Sequence, residues 1–396
     1  MRMILSIQIR NIVCFKKGRK MCKVYDESWA DLNEVIVYGL GFVGSRYIDL
    51  FQKQFQIRFI VDKATSQEVF HDIPVISRDE MLLKRNGEKI IVFASRDAYQ
   101  SIRKDLMENG LSEGIDFCKF DDFIKNWFWQ FEGKNCLREV HSAINTNCTL
   151  KCKKCNMFVP YYDRIYKYSL ADIKQDFALF FDRIDYVYFF SFVGGEPLLN
   201  EDLPFMIEHL GEHYKDKIGR IEIITNGSVI PSNSTIQMIK DYNVVIRISN
   251  YSSVVPYKNK LEQLCKILDE WSILYRVEDS LQWNDFCFPN SGNRIKIENI
   301  RQHMLCCAPE FHGLNDGRFY YCHVAWSAEK AGLIRLKEED YIDLKEIDST
   351  SILECRKIVE HAHGNVKTGY ISLCEVCMGC GDDNNLFVPA GEQWKK

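Results

Sequence analysis

The chain alternates short apolar runs with amphipathic stretches, and the first such series occupies residues 31–130. The segment EVIVYGLGFVGSRYIDLFQ, which begins at Glu34, predicts a strand, a glycine turn and a helix. IRFIVD, which ends at Asp62, and KIIVFAS predict two further strands. Between them, Ser77 and Glu80 form a capping box before a short helix. The pattern predicts a small Rossmann-like parallel sheet.

A second series covers residues 136–300. REVHSAINTNC, YVYFFSFVGGEPLL, RIEIITNG, VVIRISNYS and ILYRVED predict strands, and the stretches between them predict helices, the first with the capping pair Ser169 and Asp172. Near-continuous β-branched runs indicate a parallel sheet or barrel covered on both faces. Such folds bind ligands at the carboxyl ends of the strands. The residues at these ends are Cys148, Gly194, Gly195, Glu196, Pro197, Thr225, Asn226, Ser249 and Asn250.

Composition and charge narrow the function classes. The formal net charge of −4, from 51 basic and 55 acidic residues, argues against nucleic acid as a partner. No apolar run approaches the roughly eighteen residues that cross a bilayer, so we predict no transmembrane segment. The basic segment 1–30 has too short an apolar stretch for a secretion signal, which indicates a cytoplasmic protein.

Cysteine is the unusual residue, with sixteen copies. Three lie within 148–155, three within 306–322 and three within 374–380, and such clusters in a cytoplasmic protein indicate metal binding rather than disulfides. The scattered cysteines are expected to be small buried apolar residues. They are Cys14, Cys22, Cys118, Cys136, Cys265 and Cys355.

The three cysteines of NCTLKCKKC have the spacing CxxxCxxC. A closed structural metal site takes four ligands, so three indicate a site with one open position. Three thiolates can hold three irons of a [4Fe–4S] cluster and leave the fourth iron free for an amine and a carboxylate. Gly194 and Gly195 would let the backbone approach such a ligand, and Glu196 would accept from its ammonium group or fix the loop.

CxxxCxxC after the first strand of this series, with GGEP after the second, resembles the radical S-adenosylmethionine (SAM) superfamily. The resemblance implies a partial (β/α)6 barrel in which Cys148, Cys152 and Cys155 bind a [4Fe–4S] cluster. It further implies that Gly194, Gly195 and Glu196 hold the methionine end of SAM, that Ser249 and Asn250 meet its ribose, and that SAM is cleaved to a 5′-deoxyadenosyl radical. Lys154 departs from the aromatic or apolar residue usual before the third cysteine, so the adenine contact falls to Asn156, Met157 and Phe158 or stays unassigned.

The later cysteines form a second pattern. In CCAPEFHGLNDGRFYYC an Asp-Gly turn predicts a hairpin between Cys307 and Cys322, and LCEVCMGC follows. This order resembles the SPASM and shorter twitch extensions of radical SAM enzymes over residues 301–396, and implies one auxiliary [4Fe–4S] cluster. The implied ligands are Cys307, Cys322, Cys374 and Cys377, with Cys306 and Cys380 as alternatives. Zinc is the other interpretation of four thiolates.

The resemblance to twitch aminocyclitol dehydrogenases predicts dehydrogenation or epimerisation of a sugar or cyclitol in polysaccharide or glycan biosynthesis. The electron donor would be a flavodoxin or ferredoxin. Candidate catalytic residues are Asp285, near Trp283 and Asn284, the thiol of Cys287, and Arg247, which faces the barrel lumen or forms a salt bridge. The alternatives are a SPASM-type peptide-modifying maturase and a non-enzymatic protein that binds zinc and nucleotides.

The N-terminal motif GxGxxG consists of Gly39, Gly41 and Gly44, and Asp62 follows at the distance of a ribose-binding acid. The segment resembles the nucleotide-sugar-binding domain of bacterial sugar acyltransferases and the Rossmann modules of polysaccharide enzymes. Two interpretations remain, a site for a nucleotide or nucleotide-sugar and a packing device for the helix. The predicted fold is therefore α/β, with a Rossmann-like sheet, a partial barrel and a Cys-rich hairpin extension.

Overall fold

The computed structural model describes residues 24–63, 66–279, 281–289, 299–307, 312–381 and 383–394. Cys14, Cys22 and most of the predicted basic segment lie outside these ranges. Within them, no helix is long and apolar enough to cross a membrane.

Residues 34–132 form the N-terminal unit around a six-stranded sheet in the order β3-β4-β2-β1-β5-β6. All neighbours pair in parallel except β3 with β4, as predicted for a Rossmann-like sheet. The strands are β1 Glu34–Tyr38, β2 Gln56–Val61, β3 Val69–Phe70, β4 Ile73–Ile76, β5 Lys89–Val92 and β6 Phe117–Lys119. The helices are α1 Phe42–Phe51, α2 Arg78–Lys84, α3 Arg96–Glu108 and α4 Phe120–Trp127, with a π-helical turn over Phe128–Glu132.

The barrel series follows as predicted, with each helix between two parallel strands. The strands are β7 Cys136–Asn145, β8 Tyr186–Gly194, β9 Ile218–Thr225, β10 Val245–Asn250 and β11 Tyr275–Asp279. The helices are α5 Leu170–Phe181, α6 Leu203–His213, α7 Asn233–Asp241 and α8 Lys258–Glu270. The capping boxes predicted at Ser77 and Ser169 both form. Because β7 to β11 neighbour one another in chain order, their carboxyl ends line one mouth of the open barrel.

The rest of the chain extends this sheet beyond β7. β13 pairs with β7 in parallel, and β14 and β15 follow in antiparallel order. The two-residue turn at Asp316 and Gly317 has φ of 57° and 72°, the geometry expected of an Asp-Gly hairpin. The remaining elements are β12 Gln282–Asn284, α9 Ile300–Cys306, β13 Gly313–Asn315, β14 Arg318–Tyr320, α10 His323–Lys330, β15 Tyr341–Asp343, α11 Ile352–Ala362 and β16 Phe387–Pro389.

The N-terminal unit joins the barrel through a buried ion network. Arg46 of α1 binds both carboxylate oxygens of Glu139 on β7, at 2.6 and 2.9 Å, and reaches Glu222 on β9 at 2.9 Å. Tyr47 donates to Glu139 at 3.0 Å, and the Arg46 guanidinium lies 4.1 Å from the ring centre of Phe189. Buried charges of the two units are therefore paired across the boundary between them.

The scattered cysteines largely follow the prediction. Cys118, Cys136 and Cys355 are buried, and burial raises the pKa of each thiol. Cys265 on α8 is only half-buried, which corrects the prediction for that residue.

Candidate active site

The first three cysteines lie on residues 146–158, called here the cysteine loop, which leaves the carboxyl end of β7. The end of β8 is bound to it through the backbone, because Gly195 N–H donates to the Asn145 carbonyl at 2.9 Å and Glu196 N–H donates to the Asn147 carbonyl at 2.7 Å. A Cβ atom at Gly194 would lie 2.2 Å from the Asn145 oxygen, and one at Gly195 would lie 2.1 Å from the Asn147 oxygen. Close backbone packing therefore requires both glycines.

Substitution of Gly195 by alanine should be strongly destabilising, because the new methyl group meets a carbonyl and not a flexible side chain. We expect a loss of about 3 kcal/mol, at the upper end for an overpacked site. The matched control is Gly41→Ala, where a Cβ meets nothing within 4 Å and φ is −66°. Urea denaturation of both variants measures the difference. Equal stabilities would contradict the packing explanation.

Glu196 ties the ends of two strands together. Its side chain is fully buried and accepts from Thr225 Oγ1 at 2.7 Å, Asn226 N–H at 2.9 Å and Leu198 N–H at 3.1 Å. Burial raises the pKa of this carboxyl group to about 7, although the donated bonds oppose the shift. Of the two predicted roles, these contacts support the one that fixes the loop. Pro197 begins the next short helical turn.

The cysteine loop offers three thiols with nearby donors. Leu150 N–H and Asn226 Nδ2 donate to the sulfur of Cys148 at 3.4 and 3.5 Å. Gln393 Nε2 donates to the sulfur of Cys152 at 3.3 Å. Burial raises the thiol pKa of Cys148 to about 12 and that of Cys152 to about 11. Binding of iron would displace these protons, so the loop is a set of ligands that metal would deprotonate.

The predicted residues at the ends of β9 and β10 lie around the same mouth. Asn226 Nδ2 also donates to Thr149 Oγ1 at 3.2 Å, and the Asn226 carbonyl accepts from the Tyr257 hydroxyl at 2.8 Å. That hydroxyl accepts from Tyr251 N–H at 2.8 Å, beside Ser249 and Asn250. Asn250 Nδ2 donates to Asp279 at 2.6 Å, at the end of β11. The structure therefore brings the predicted strand-end residues together.

Residues 284–288, called here the bridging loop, contact both regions that carry clustered cysteines. On one side, Lys154 of the cysteine loop binds both oxygens of Asp285, at 2.8 and 3.0 Å. On the other side, Met378 N–H donates to the Phe286 carbonyl at 2.9 Å, and Asn384 Nδ2 donates to the Asp285 carbonyl at 3.0 Å. Lys154, which departs from the family pattern, is therefore the ion-pair partner of a predicted catalytic carboxylate.

Cys287 lies buried inside the bridging loop with φ of 52°. Its backbone N–H donates to Asp285 Oδ1 at 2.9 Å, which fixes the turn. The Cys287 thiol is close enough to Cys377 to contribute to the raised pKa of that thiol, for which burial is the larger cause. Trp283 is half-buried, and its ring lies nearly perpendicular to that of Tyr251, with the ring centres 5.3 Å apart.

The later cysteines come together as a second group, formed by Cys307, Cys322, Cys374, Cys377 and Cys380. The sulfurs of Cys307 and Cys380 are 3.6 Å apart. The Cys380 thiol lowers the thiol pKa of Cys307 to about 7, and burial opposes this shift. Burial raises the pKa of Cys374 and Cys377. Cys380, predicted as an alternative ligand, therefore lies in direct contact with Cys307, a predicted ligand.

The five thiols of the second group fit either of the two predicted metal sites, an auxiliary [4Fe–4S] cluster or a zinc ion. Among the described residues, no three His, Cys, Asp or Glu side chains are arranged to hold one metal ion. The second group is also supported by His303, which bonds to the Cys377 carbonyl at 2.9 Å and to Asp383 at 2.5 Å.

The predicted residue Arg247, and His323 of α10, contact polar side chains other than cysteine. Arg247 is 3.8 Å from Glu222 and belongs to the ion network that includes Arg46. His323 is buried beneath the hairpin, 3.2 Å from Asn315 Oδ1, and burial lowers its pKa well below the usual value. The contacts of Arg247 thus favour the predicted salt bridge, and His323 is part of the core.

Of the three glycines in the N-terminal motif, Gly39 and Gly44 are closely packed and Gly41 is exposed. A Cβ at Gly39 would lie 2.4 Å from the Phe93 carbonyl, and one at Gly44 would lie 2.0 Å from the Gly39 carbonyl, whereas Gly41 is open. Asp62 accepts from Leu40 N–H at 2.7 Å and so holds the turn. The turn faces a cavity of about 750 Å³ whose other wall includes Cys306 and Cys380. A nucleotide or nucleotide-sugar there stays a prediction.

Asp176 of α5 anchors the hairpin turn that precedes Cys322. Its Oδ1 accepts from Gly317 N–H at 2.6 Å, and burial raises the pKa of the carboxyl group to about 7, from 3.8. Ionisation then favours the unfolded chain, so stability should fall as the pH rises from about 4 to about 7. Asp176→Asn retains the acceptor without ionising, and should gain stability relative to the natural protein over that window. A difference in urea midpoint independent of pH would contradict this.

Comparison with known proteins finds one family match, and it lies within the barrel segment. Residues 143–249 match the model of the radical SAM superfamily. No curated protein sequence matches the chain. Among solved structures, BtrN in complex with AdoMet and 2-DOIA is similar at 17% identity and a TM-score of 0.39, over 61% of this chain and 92% of BtrN. Native anSMEcpe with bound AdoMet and Kp18Cys peptide is similar at 14% identity and a TM-score of 0.36, over 58% of this chain and 84% of the anSMEcpe chain. Streptococcus suis SuiB bound to precursor peptide SuiA is similar at 18% identity and a TM-score of 0.29, over 46% of this chain and 46% of SuiB.

Proposed function

We propose, from the match of residues 143–249 to the radical SAM superfamily, that the chain is a radical SAM enzyme that oxidises an alcohol of a sugar or cyclitol. Cys148, Cys152 and Cys155 would hold the [4Fe–4S] cluster that binds SAM, and the second cysteine group would hold an auxiliary cluster. Bound together, the first cluster and SAM would supply a 5′-deoxyadenosyl radical that removes a hydrogen atom from the substrate.

The observation that carries this proposal is the position of the bridging loop. It contacts Lys154 of the cysteine loop on one side and, on the other, Met378, the residue after Cys377 of the second group. A substrate at Asp285 would therefore lie between a source of radicals and an acceptor of one electron. A carbon radical that bears a hydroxyl group becomes a carbonyl when it loses one proton and one electron. Asp285 would take the proton, and the auxiliary cluster would take the electron.

The identity of the chemistry is testable by anaerobic reconstitution. We expect SAM-dependent formation of 5′-deoxyadenosine on reduction with dithionite, stimulated by a sugar or cyclitol from a panel that includes nucleotide-linked sugars. A panel of peptides serves as the alternative substrate class, since a maturase would respond only to those. A reconstituted protein that forms no 5′-deoxyadenosine with either panel would overturn the proposal.

Epimerisation is the second candidate, because Cys287 places a thiol in the bridging loop. A thiol can return a hydrogen atom to the opposite face of a substrate radical, and the product then keeps its oxidation level. The thiyl radical left on Cys287 would regain one electron from the reductant, through the auxiliary cluster, and one proton from solvent. Turnover in D2O separates the two reactions. Oxidation gives a carbonyl product without deuterium at the reacting carbon, whereas epimerisation incorporates one deuterium, and Cys287→Ser should abolish that incorporation.

A further inference from the structure

Residues 391–394 lie directly against the cysteine loop, although nothing in their sequence marks them as part of a site. Cys152 and Gln393 form an antiparallel β-bridge. Lys153 N–H donates to the Glu392 carbonyl at 2.8 Å, and Trp394 N–H donates to the Lys151 carbonyl at 2.6 Å. The Lys153 ammonium also pairs with the Glu392 carboxylate. This segment therefore extends the cysteine loop as a short added strand.

The same residues are anchored at the mouth of the barrel. Ala390 is fully buried, and its N–H donates to the Leu281 carbonyl at 3.0 Å. Gly391 packs so closely on Tyr251, after β10, that a Cβ would lie 2.8 Å from the Tyr251 Cβ. The Trp394 ring meets Tyr161 edge-on at 5.6 Å. Because both ends of the segment are held, the position of Gln393 is fixed relative to the cysteines.

The hydrogen bonds of Gln393 define which end of its amide faces sulfur. Oε1 accepts from Lys151 N–H at 2.8 Å, and only the carbonyl end can accept. Nε2 is left to donate, to the Gly391 carbonyl at 2.7 Å and to the Cys152 sulfur at 3.3 Å. The Lys151 N–H thus orients the Gln393 amide so that its Nε2–H points at the Cys152 sulfur.

We propose that Gln393 is a positioning residue for the Cys152 thiolate, and that its N–H···S bond raises the reduction potential of the cluster held there. The effect on the reduction potential rests on the proposed function, whereas the positioning of the cysteine loop by Gln393 does not. Donors to ligand sulfur withdraw charge from an iron–sulfur cluster and make its reduced form easier to reach. Reduction of this cluster precedes SAM cleavage, so residues 391–394 would set how readily the enzyme accepts its first electron.

The test uses two substitutions of Gln393 in the full chain. Gln393→Glu keeps an acceptor for Lys151 N–H but loses the donor to sulfur, whereas Gln393→Ala loses both. In a redox titration of reconstituted protein followed by electron paramagnetic resonance, both variants should show a more negative midpoint potential for the SAM-binding cluster. Glu392→Gln is the matched control, because it breaks only the exposed ion pair with Lys153, and its potential should equal that of the natural protein.

Hydrogen exchange in cluster-free protein separates this inference from the proposed function. Gln393→Ala should speed exchange at the Lys151 amide by about fivefold, as expected for one lost hydrogen bond, whereas Gln393→Glu should not. Unchanged exchange in Gln393→Ala, or an unchanged potential in Gln393→Glu, would overturn the inference. Absence of iron at the cysteine loop would instead overturn the proposed function, and the exchange result would still decide whether Gln393 holds the loop.

Discussion

Joint substitution of Cys322 and Cys374 by alanine is expected to separate SAM cleavage from product formation. With two thiols of the second group gone, iron in the reconstituted protein should fall from about eight to about four atoms per chain, the content of one [4Fe–4S] cluster. The cysteine loop is untouched, so 5′-deoxyadenosine should still form on chemical reduction. Oxidised sugar should not form, because the substrate radical has lost its electron acceptor.

Cys148→Ala should give the opposite pattern. It removes one of three loop thiols, so SAM cleavage should fall below detection while the iron of the second group remains. Cys265→Ala on α8 is the control, since that half-buried thiol belongs to neither group, and it should match the natural protein. Iron and sulfide analysis with chromatography of 5′-deoxyadenosine measures all three. Oxidised sugar from the Cys322 and Cys374 variant would disprove the role of the second group.

Much of this arrangement was predictable because local signals and topology agree. The glycine turn before α1, the capping boxes at Ser77 and Ser169 and the Asp-Gly hairpin depend on residues close in sequence. Alternation of strands and helices then leaves few topologies, and parallel order brings the strand ends to one edge. The convergence of Asn226 on Cys148 follows from that order.

The contacts that the sequence did not reveal join residues far apart along the chain. Gln393 meets Cys152 across 241 residues, and Lys154 meets Asp285 across 131. No spacing in the sequence links the two members of either pair, because each pair joins loops that are distant along the chain. At Gly194 and Gly195 the sequence predicted that the backbone comes close to another group, but the predicted group was a bound ligand. In the structure the close neighbour is the backbone of Asn145 and Asn147, where the cysteine loop begins.

Replacement of Arg46 by methionine is expected to be the most destabilising change outside the cysteines. The arginine side chain is 4% exposed and neutralises Glu139 and Glu222, each 1% exposed. Burial acts to raise the pKa of Glu139, but the Arg46 charge and the His141 hydrogen bond together hold that pKa well below the usual value. Loss of one partner of such a buried network costs about 3–5 kcal/mol, because the remaining charges stay desolvated.

The pH dependence and a compensating variant identify the cause. Because the folded-state pKa of Glu139 is depressed, its pairing stabilises the fold above the unfolded-state pKa, and this contribution is lost as the pH falls. The deficit of Arg46→Met should therefore shrink in acid, when Glu139 takes a proton in both proteins. Adding Glu139→Gln and Glu222→Gln should recover most of the stability at neutral pH. Lys104→Ala, which breaks an exposed pair with Glu108, should leave the urea midpoint unchanged. If Arg46→Met behaves like Lys104→Ala, the N-terminal unit is not held to the barrel by this network.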